Sequence, residues 1–250
     1  MSLPEIVSRQ EWLSARRELL IKEKALTKQR DALNVERRQL PMVEIDKNYV
    51  FEGADGEASL LDLFDGRRQL LVGHFMFHPD WDEGCPSCSA GADEMSDGLF
   101  EHLQARDTSL AHVSRAPFAK IKQYQEKRGW HFPWYSSFGS DFNYDFHVTL
   151  DESVLPIEYN YRTAAEHERL GSGRFAPEDQ PMECPGLSVF LREGSTVFHT
   201  YSNYARGAEM IGGSYYRLDL TPLGRQEDWE LPKDRRDGGI ERGPNPSFQE

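Results

Sequence analysis

The stretch from Arg67 to Ala92 constrains this chain more than any other. Arg68 to Phe77 (RQLLVGHFMF) is almost wholly apolar and of strand length. Such a run suits a strand buried on both faces, as in a parallel sheet. A loop follows, His78-Pro79-Asp80-Trp81-Asp82-Glu83-Gly84, then Cys85-Pro86-Ser87-Cys88. A helical pattern continues through Met95, Leu99 and Leu103. Strand, loop, dithiol and helix in that order predict an α/β domain with its chemistry at a strand-to-helix junction.

That order suits redox chemistry. A thiol at a helix N-terminus faces unpaired N–H groups and the positive end of the dipole, and both favour thiolate over thiol. Pro86 fits the first helical position, where a missing N–H costs nothing. Cys88 lies one turn on and can reach back, so Cys85 is expected to attack and Cys88 to resolve. In an α/β chain without a disulfide framework, Cys-x-x-Cys reads as a redox motif. The competing readings are two unreactive buried cysteines, or half of a metal site.

The chain of 250 residues could hold one large domain, or a domain with appendages. Its net charge of −13 argues against a general nucleic-acid binder. No run of 18 apolar residues is present, so no membrane span is expected. Residues 1–12 lack the charged and apolar regions of a secretory signal. Three cysteines do not make a disulfide scaffold. The expected location is therefore the cytoplasm, where reducing conditions recycle a dithiol.

Ser8 to Leu40 is a long helix candidate, opened by the capping box Ser8-x-x-Glu11 and closed by Pro41. Trp12, Leu19, Leu26, Leu33 and Leu40 recur every seven residues, but the companion row (Ala15, Lys22, Gln29) is weak. A coiled coil wants both rows apolar. The stripe therefore reads as packing on the domain or on a second subunit, so one arrangement is a homo-oligomer through this helix. Residues 1–41 form an N-terminal arm in this reading, 42–223 the main domain, and 224–250 a polar tail. Within the domain, Val43 to Phe51 predicts a short strand, Gly53 to Gly56 a turn, and Ser59 to Phe64 a helical turn. Ser109 to Ser114 predicts a strand, Pro117 to Gly129 a helix, His131 to Ser136 an extended piece, and Ser140 to Phe146 a helical turn. Residues 151–183 are polar and turn-rich and predict a long loop or insertion. Leu187 to Arg192 and Thr196 to Ser202 predict a hairpin across Glu193-Gly194-Ser195. Tyr204 to Ile211 predicts a short helix, and Tyr215 to Leu220 a last strand.

The order β, Cys-x-x-Cys, α, β, α, then a β-hairpin and α resembles the thioredoxin-like fold, and the layout is similar to its peroxiredoxin-type branch. Phe75-Met-Phe-His-Pro-Asp-Trp-Asp-Glu-Gly-Cys-Pro-Ser-Cys88, Val113-Ser-Arg-Ala-Pro117, Phe138-Gly-Ser-Asp-Phe-Asn-Tyr-Asp-Phe146 and Tyr204-Ala-Arg-Gly207 are more specific. They resemble a bacterial family described as domain of unknown function 899, thioredoxin-like, over roughly residues 5–225. The resemblance implies a central mixed sheet flanked by helices. This chain departs from its better-known cousins at defined places. Thioredoxin carries Trp immediately before its first Cys, where this chain has Gly84. Thioredoxin's buried carboxylate falls at Pro79. The peroxiredoxin pattern P-x-x-x-[ST]-x-x-C places its hydroxyl at Asp82 and its Pro at His78. An acid there would repel a thiolate, which disfavours a peroxidase of the usual kind.

The same resemblance suggests a cis, site-facing Pro185, since a cis-proline faces the dithiol in thioredoxin-like proteins. Cys184 would then lie near the pair; otherwise it is a free buried cysteine. Arg115 ends the second strand at the carboxyl edge of the sheet, where a cation would lower a neighbouring thiol pKa. It could equally be a surface residue, and Arg206 is a weaker candidate of the same kind. Trp81, in the loop before the pair, is counted with Pro86, Pro185 and Arg115 as supporting. His74 reads as a satisfied core residue. His78 with Cys85, Cys88 and Cys184 could form a Cys3His metal set, though the spacing is irregular. The aromatic run from Trp130 to Phe146 reads mostly as core.

Three functions compete. The first is a thiol–disulfide oxidoreductase without a cofactor, acting on a protein or small-molecule disulfide or thiol. The second is an atypical thiol peroxidase. The third is a non-enzymatic metal-binding or interaction protein on the same fold.

Overall fold

The computed structural model describes residues 4–173, 175–207 and 220. The chain divides into two compact units, one holding the N-terminal helix through Met42, the other beginning at Val43. In the first, α1 spans Arg9–Arg38, with Gln39 as its C-cap. The predicted capping box is present: the Ser8 hydroxyl accepts the Glu11 N–H, and the Glu11 carboxylate accepts the Ser8 N–H at 2.9 Å. Arg37 and Arg38 sit in the last turn, where the dipole favours cations.

The second unit is built on one eight-stranded sheet. Its strands are β1 (Val43–Glu44), β2 (Val50–Gly53), β3 (Gly56–Ser59), β4 (Gln69–His74), β5 (Thr108–Ser114), β6 (Trp134–Ser136), β11 (Gly186–Glu193) and β12 (Thr196–Tyr204), in the order β1-β12-β11-β4-β5-β6-β2-β3. β4, β5 and β6 run parallel; β11 is antiparallel to β4, and β12 to β11. This central β5-β4-β11-β12 arrangement is the thioredoxin-like core that the chain order predicts. β4 has a hydrogen-bonded neighbour on each side, which explains its near-continuous apolar sequence. The strand ends at His74, short of the predicted Phe77. Phe75 still donates its N–H to Val113 O, but Phe75, Met76 and Phe77 leave the ladder and remain buried. Their apolar character serves an aromatic cluster rather than further pairing.

The remaining elements are α2 (Pro86–Asp93), α3 (Asp97–Gln104), α4 (Phe118–Arg128), α5 (Phe142–Asp145) and a 3-10 turn at Asp62–Phe64. The single helix expected after Cys85 is thus two. Ser96 adopts extended geometry (φ −118, ψ 155) and restarts the chain as the N-cap of α3, a position Ser favours. Val43 to Phe51 likewise is not one strand but β1 and the start of the β2–β3 hairpin.

Of the two readings of residues 151–183, insertion or long loop, the structureless loop is the one their secondary structure excludes. They hold β8 (Glu158–Tyr159), β9 (Arg162–Thr163), α6 (Ala164–Leu170) and β10 (Met182–Glu183), and β10 pairs with β7 (Thr149–Leu150). α6 opens on a second capping box, Thr163 with Glu166. Two-residue strands show no period, so their pairing is invisible in the sequence. Of the predicted helix Tyr204 to Ile211, Tyr204 ends β12, residues 205–207 form a short 3-10 turn, and residues 208–211 lie outside the described residues. The predicted strand Tyr215 to Leu220 and the tail from Gly224 also fall outside them, apart from Leu220.

Two core clusters flank the sheet. One gathers Phe51, Phe64, Leu70, Val72, Val113, Phe142, Phe146 and Phe190; the other gathers Phe75, Phe77, Ile121, Tyr124, Phe132 and Trp134 beneath α2 and α4. The aromatic run is mostly core as expected, although Phe138 is exposed. Between β4, β11 and β12 runs a polar chain. His74 Nε2 lies 2.7 Å from Ser188 Oγ, Ser188 Oγ 2.7 Å from Ser202 Oγ, and Ser202 Oγ 2.8 Å from His199 Nε2. His74 is therefore a core residue satisfied through one ring nitrogen. Among the described residues no helix is long and apolar enough to cross a membrane.

Candidate functional site

Cys85 is the N-cap of α2, with φ −50 and ψ 130, and Pro86 occupies the first turn. The Cys85 N–H donates to Met76 O at 2.9 Å, closing the His78–Gly84 loop onto the end of the β4 segment. Its carbonyl accepts both the N–H and the hydroxyl of Ser89, at 2.9 and 2.8 Å. Cys85 and Cys88 are half-buried, Cys184 is buried, and all three are free thiols.

The two thiols of the motif are driven apart. Cys85 is pulled down to about 6, first by the Cys88 thiol, then by the backbone N–H groups of Cys88 and Ser87 and the Ser87 hydroxyl, against an opposing effect of burial. Cys88 is pushed up by Cys85 and by burial, and it packs against the second aromatic cluster. A thiolate at the cap beside a protonated partner one turn on is the electrostatic arrangement that an attacking and a resolving thiol need.

One acid of the loop has a cation of its own. Glu83 is paired with Lys127 of α4, and that pairing lowers its carboxyl pKa. Gly84, where thioredoxin carries Trp, is buried between rings. A Cβ there would stand 2.6 Å from Phe75 Cε1 and 3.1 Å from Tyr124 Cε1. Only glycine lets the loop pass.

The supporting candidates divide. Trp81 is 40% exposed, and its ring lies 6.0 Å from that of His78. Pro185 immediately precedes β11, whose first residue pairs with His74, so it shares the sheet edge from which the dithiol loop departs. The Cys184–Pro185 peptide is trans, however; the cis X–Pro bond among the described residues is Gln180–Pro181. Arg115 is not a free cation aimed at the thiols. Its Nε donates to Glu183 Oε1 at 2.7 Å, its Nη1 to the Tyr144 hydroxyl at 3.3 Å, and the Glu183 side chain is only 2% exposed. Thr149 donates to the other Glu183 oxygen at 2.9 Å. Cys184 sits next to this ion pair with Leu150 and Ile157, and burial, then Glu183, push its thiol far up. Arg206 falls in the turn after β12. His78 accepts the Asp80 N–H at 3.1 Å. Among the described residues no three His, Cys, Asp or Glu side chains group as a metal site, so the Cys3His set is not assembled.

Three residues that the sequence reading passed over touch the motif or its loop. Ser89 and Tyr124 share a hydrogen bond of 2.9 Å, and Lys120 Nζ bonds two loop carbonyls, those of Pro79 and Trp81. The available signal was the spacing of Lys120, Tyr124 and Lys127, four and three apart on one helix face. An open groove of about 530 Å³ lies elsewhere, lined by Lys47, Tyr49, Glu57, Phe138 and Asp141, and it contains no cysteine.

Sheet order and site together define a protein of the thioredoxin-like fold with a dithiol at its first sheet-capping helix. The chain belongs to the family described as "Bacterial protein of unknown function (DUF899)", whose model matches residues 1–239. No curated protein matches it in sequence. It is similar to a solved Cys-to-Ser mutant of Xylella fastidiosa PrxQ, with 12% identity over 69% of this chain and 93% of that one, at a TM-score of 0.44. A Xanthomonas campestris peroxiredoxin Q shows 14% identity over 69% and 91%, at 0.40. Mycobacterium tuberculosis peroxidoxin BcpB shows 13% identity over 64% and 84%, at 0.36.

Proposed function

We propose that this protein is a thiol–disulfide oxidoreductase whose dithiol is Cys85 and Cys88. The observation that carries the reading is the split of the two thiols across the cap of α2, one low and one high. The Cys85 thiolate attacks one sulfur of a substrate disulfide. A Cys85–substrate bond forms, the substrate bond breaks, and the departing thiolate takes a proton. Cys88 then loses its proton and attacks the Cys85 sulfur, expelling the second substrate thiolate, which is protonated in turn. The substrate gains two electrons and the enzyme keeps the Cys85–Cys88 disulfide, which an external thiol or dithiol reduces. A reducing compartment such as the cytoplasm would sustain that cycle.

The test is trapping. Cys88→Ser should accumulate a mixed disulfide through Cys85 when given a disulfide substrate, and Cys85→Ser should accumulate none. Peroxide consumption measured on the same protein separates the peroxidase alternative. Rapid peroxide turnover without disulfide reduction would overturn the oxidoreductase assignment.

A further inference from the structure

The loop from His78 to Gly84 belongs to no ladder, yet Cys85 hangs from its end. Two backbone bonds shape it, Trp81 N–H to His78 O and Cys85 N–H to Met76 O. The Cys85 sulfur is useful only while the Cys88 thiol and the N–H groups of Ser87 and Cys88 point at it, so something must hold the entry to the cap. One face of α4 supplies that constraint. Lys120 Nζ donates to Pro79 O at 2.6 Å and to Trp81 O at 3.0 Å. One turn on, the Tyr124 hydroxyl meets Ser89 Oγ at 2.9 Å. Ser89 has a single hydroxyl proton, and it goes to Cys85 O at 2.8 Å, so Tyr124 is the donor in its own bond. Tyr124 also forms the wall that Gly84 passes. Lys127, a further turn along, holds Glu83.

We propose that Lys120 is a positioning residue of the dithiol: its ammonium bridges two carbonyls of the loop and, with Tyr124, keeps Cys85 seated at the cap of α2. The proposal rests on the redox reading above for its function but not for its measurement. Both carbonyls accept from one charged donor, and charge-assisted bonds of this kind are stronger than neutral ones. A neutral side chain at 120 removes both. The ionisable groups of the loop and of this helix face are His78, Asp80, Asp82, Glu83, Lys120, Tyr124 and Lys127, together with the two thiols. A loss of charge alone therefore has to be separated from a loss of position.

The experiment titrates the Cys85 thiolate in the full chain, by iodoacetamide rate against pH, in the wild type and in Lys120→Met, Lys120→Arg, Tyr124→Phe and Lys122→Met. Lys122 is exposed on the same helix and controls for charge. Thermal melts establish that each variant is folded. Lys120→Met should move the Cys85 titration up by about one pH unit and slow alkylation at pH 6 about fivefold. Lys120→Arg should restore the wild-type profile, and Tyr124→Phe should shift it by roughly a third as much. Should Lys120→Met fail to fold, Lys120→Gln and Tyr124→Phe carry the same test. A folded neutral variant with the wild-type profile overturns the proposal. So does an equal shift in Lys122→Met, which would make the effect one of charge at a distance. A shifted titration in a protein whose Cys85 and Cys88 never pair would sink the redox reading and leave the positioning role standing.

Discussion

Cys85 and Cys184 are the same side chain in opposite surroundings. Cys85 caps a helix, half-buried, with N–H groups converging on its sulfur. Cys184 lies in an apolar pocket beside a buried carboxylate. The Cys88 thiol, joined by the N–H groups of Cys88 and Ser87, outweighs burial in the first place, and burial acts unopposed in the second. The contrast thus follows from a second thiol and a helix start beside Cys85, and from burial beside a carboxylate at Cys184. The supporting charges follow the same division. Arg115, which could have served Cys85, is committed to Glu183 beside Cys184, while Lys120 and Lys127 serve the loop that carries Cys85.

The largest expected difference is in alkylation. With its titration near 6, Cys85 is about nine-tenths thiolate at pH 7. Cys184 is held almost wholly as thiol. Iodoacetamide should label Cys85 at least about a hundredfold faster than Cys184 in the folded protein, and the two should converge in denaturant. Similar rates in the native state would erase the contrast.

Arg115→Met attacks the other side of the comparison. It leaves Glu183 buried without its cation and should cost about 3–5 kcal/mol in urea unfolding. Cys184 should become no more reactive, since Glu183 without its cation opposes a thiolate still more, while Cys85 keeps its titration. If Cys85 shifts instead, Arg115 serves the dithiol after all.

Acid should weaken the sheet between the two regions. Burial holds His74 down to about 3, aided by His112 and His199, and burial alone holds His112 down to about 4. Unfolded, each would titrate near 6.5. Below that value the unfolded chain binds more protons, so stability is lost as pH falls from 6.5, by about 1.4 kcal/mol per pH unit for each histidine. The loss ends only near 4 for His112 and near 3 for His74. Urea midpoints between pH 6.5 and 4.5 report this before carboxylates contribute much; a flat profile there contradicts the assignment of both as buried and neutral.

Much of the fold was legible because its signals are local. The Ser8–Glu11 box, the apolar run of β4 and the proline after Cys85 each act within a few residues. The thiol roles proposed for Cys85 and Cys88 rest on the same local geometry. What stayed hidden depends on distant partners. Glu183 takes Arg115 from 68 positions away, and Lys120 reaches Pro79 from 41. Phe75 to Phe77 read as strand because burial in an aromatic cluster and burial in a sheet select the same residues. The Thr163–Glu166 box was a local signal in plain view, masked by the polar composition around it.

The most direct test of the account is a redox titration of the intact chain against a glutathione or dithiothreitol buffer, with every cysteine mapped by mass spectrometry. Oxidation should remove two hydrogens and map them to Cys85 and Cys88, reversibly, with Cys184 remaining a free thiol throughout. A disulfide that includes Cys184, or a Cys85 and Cys88 that stay reduced across the whole range, would contradict it.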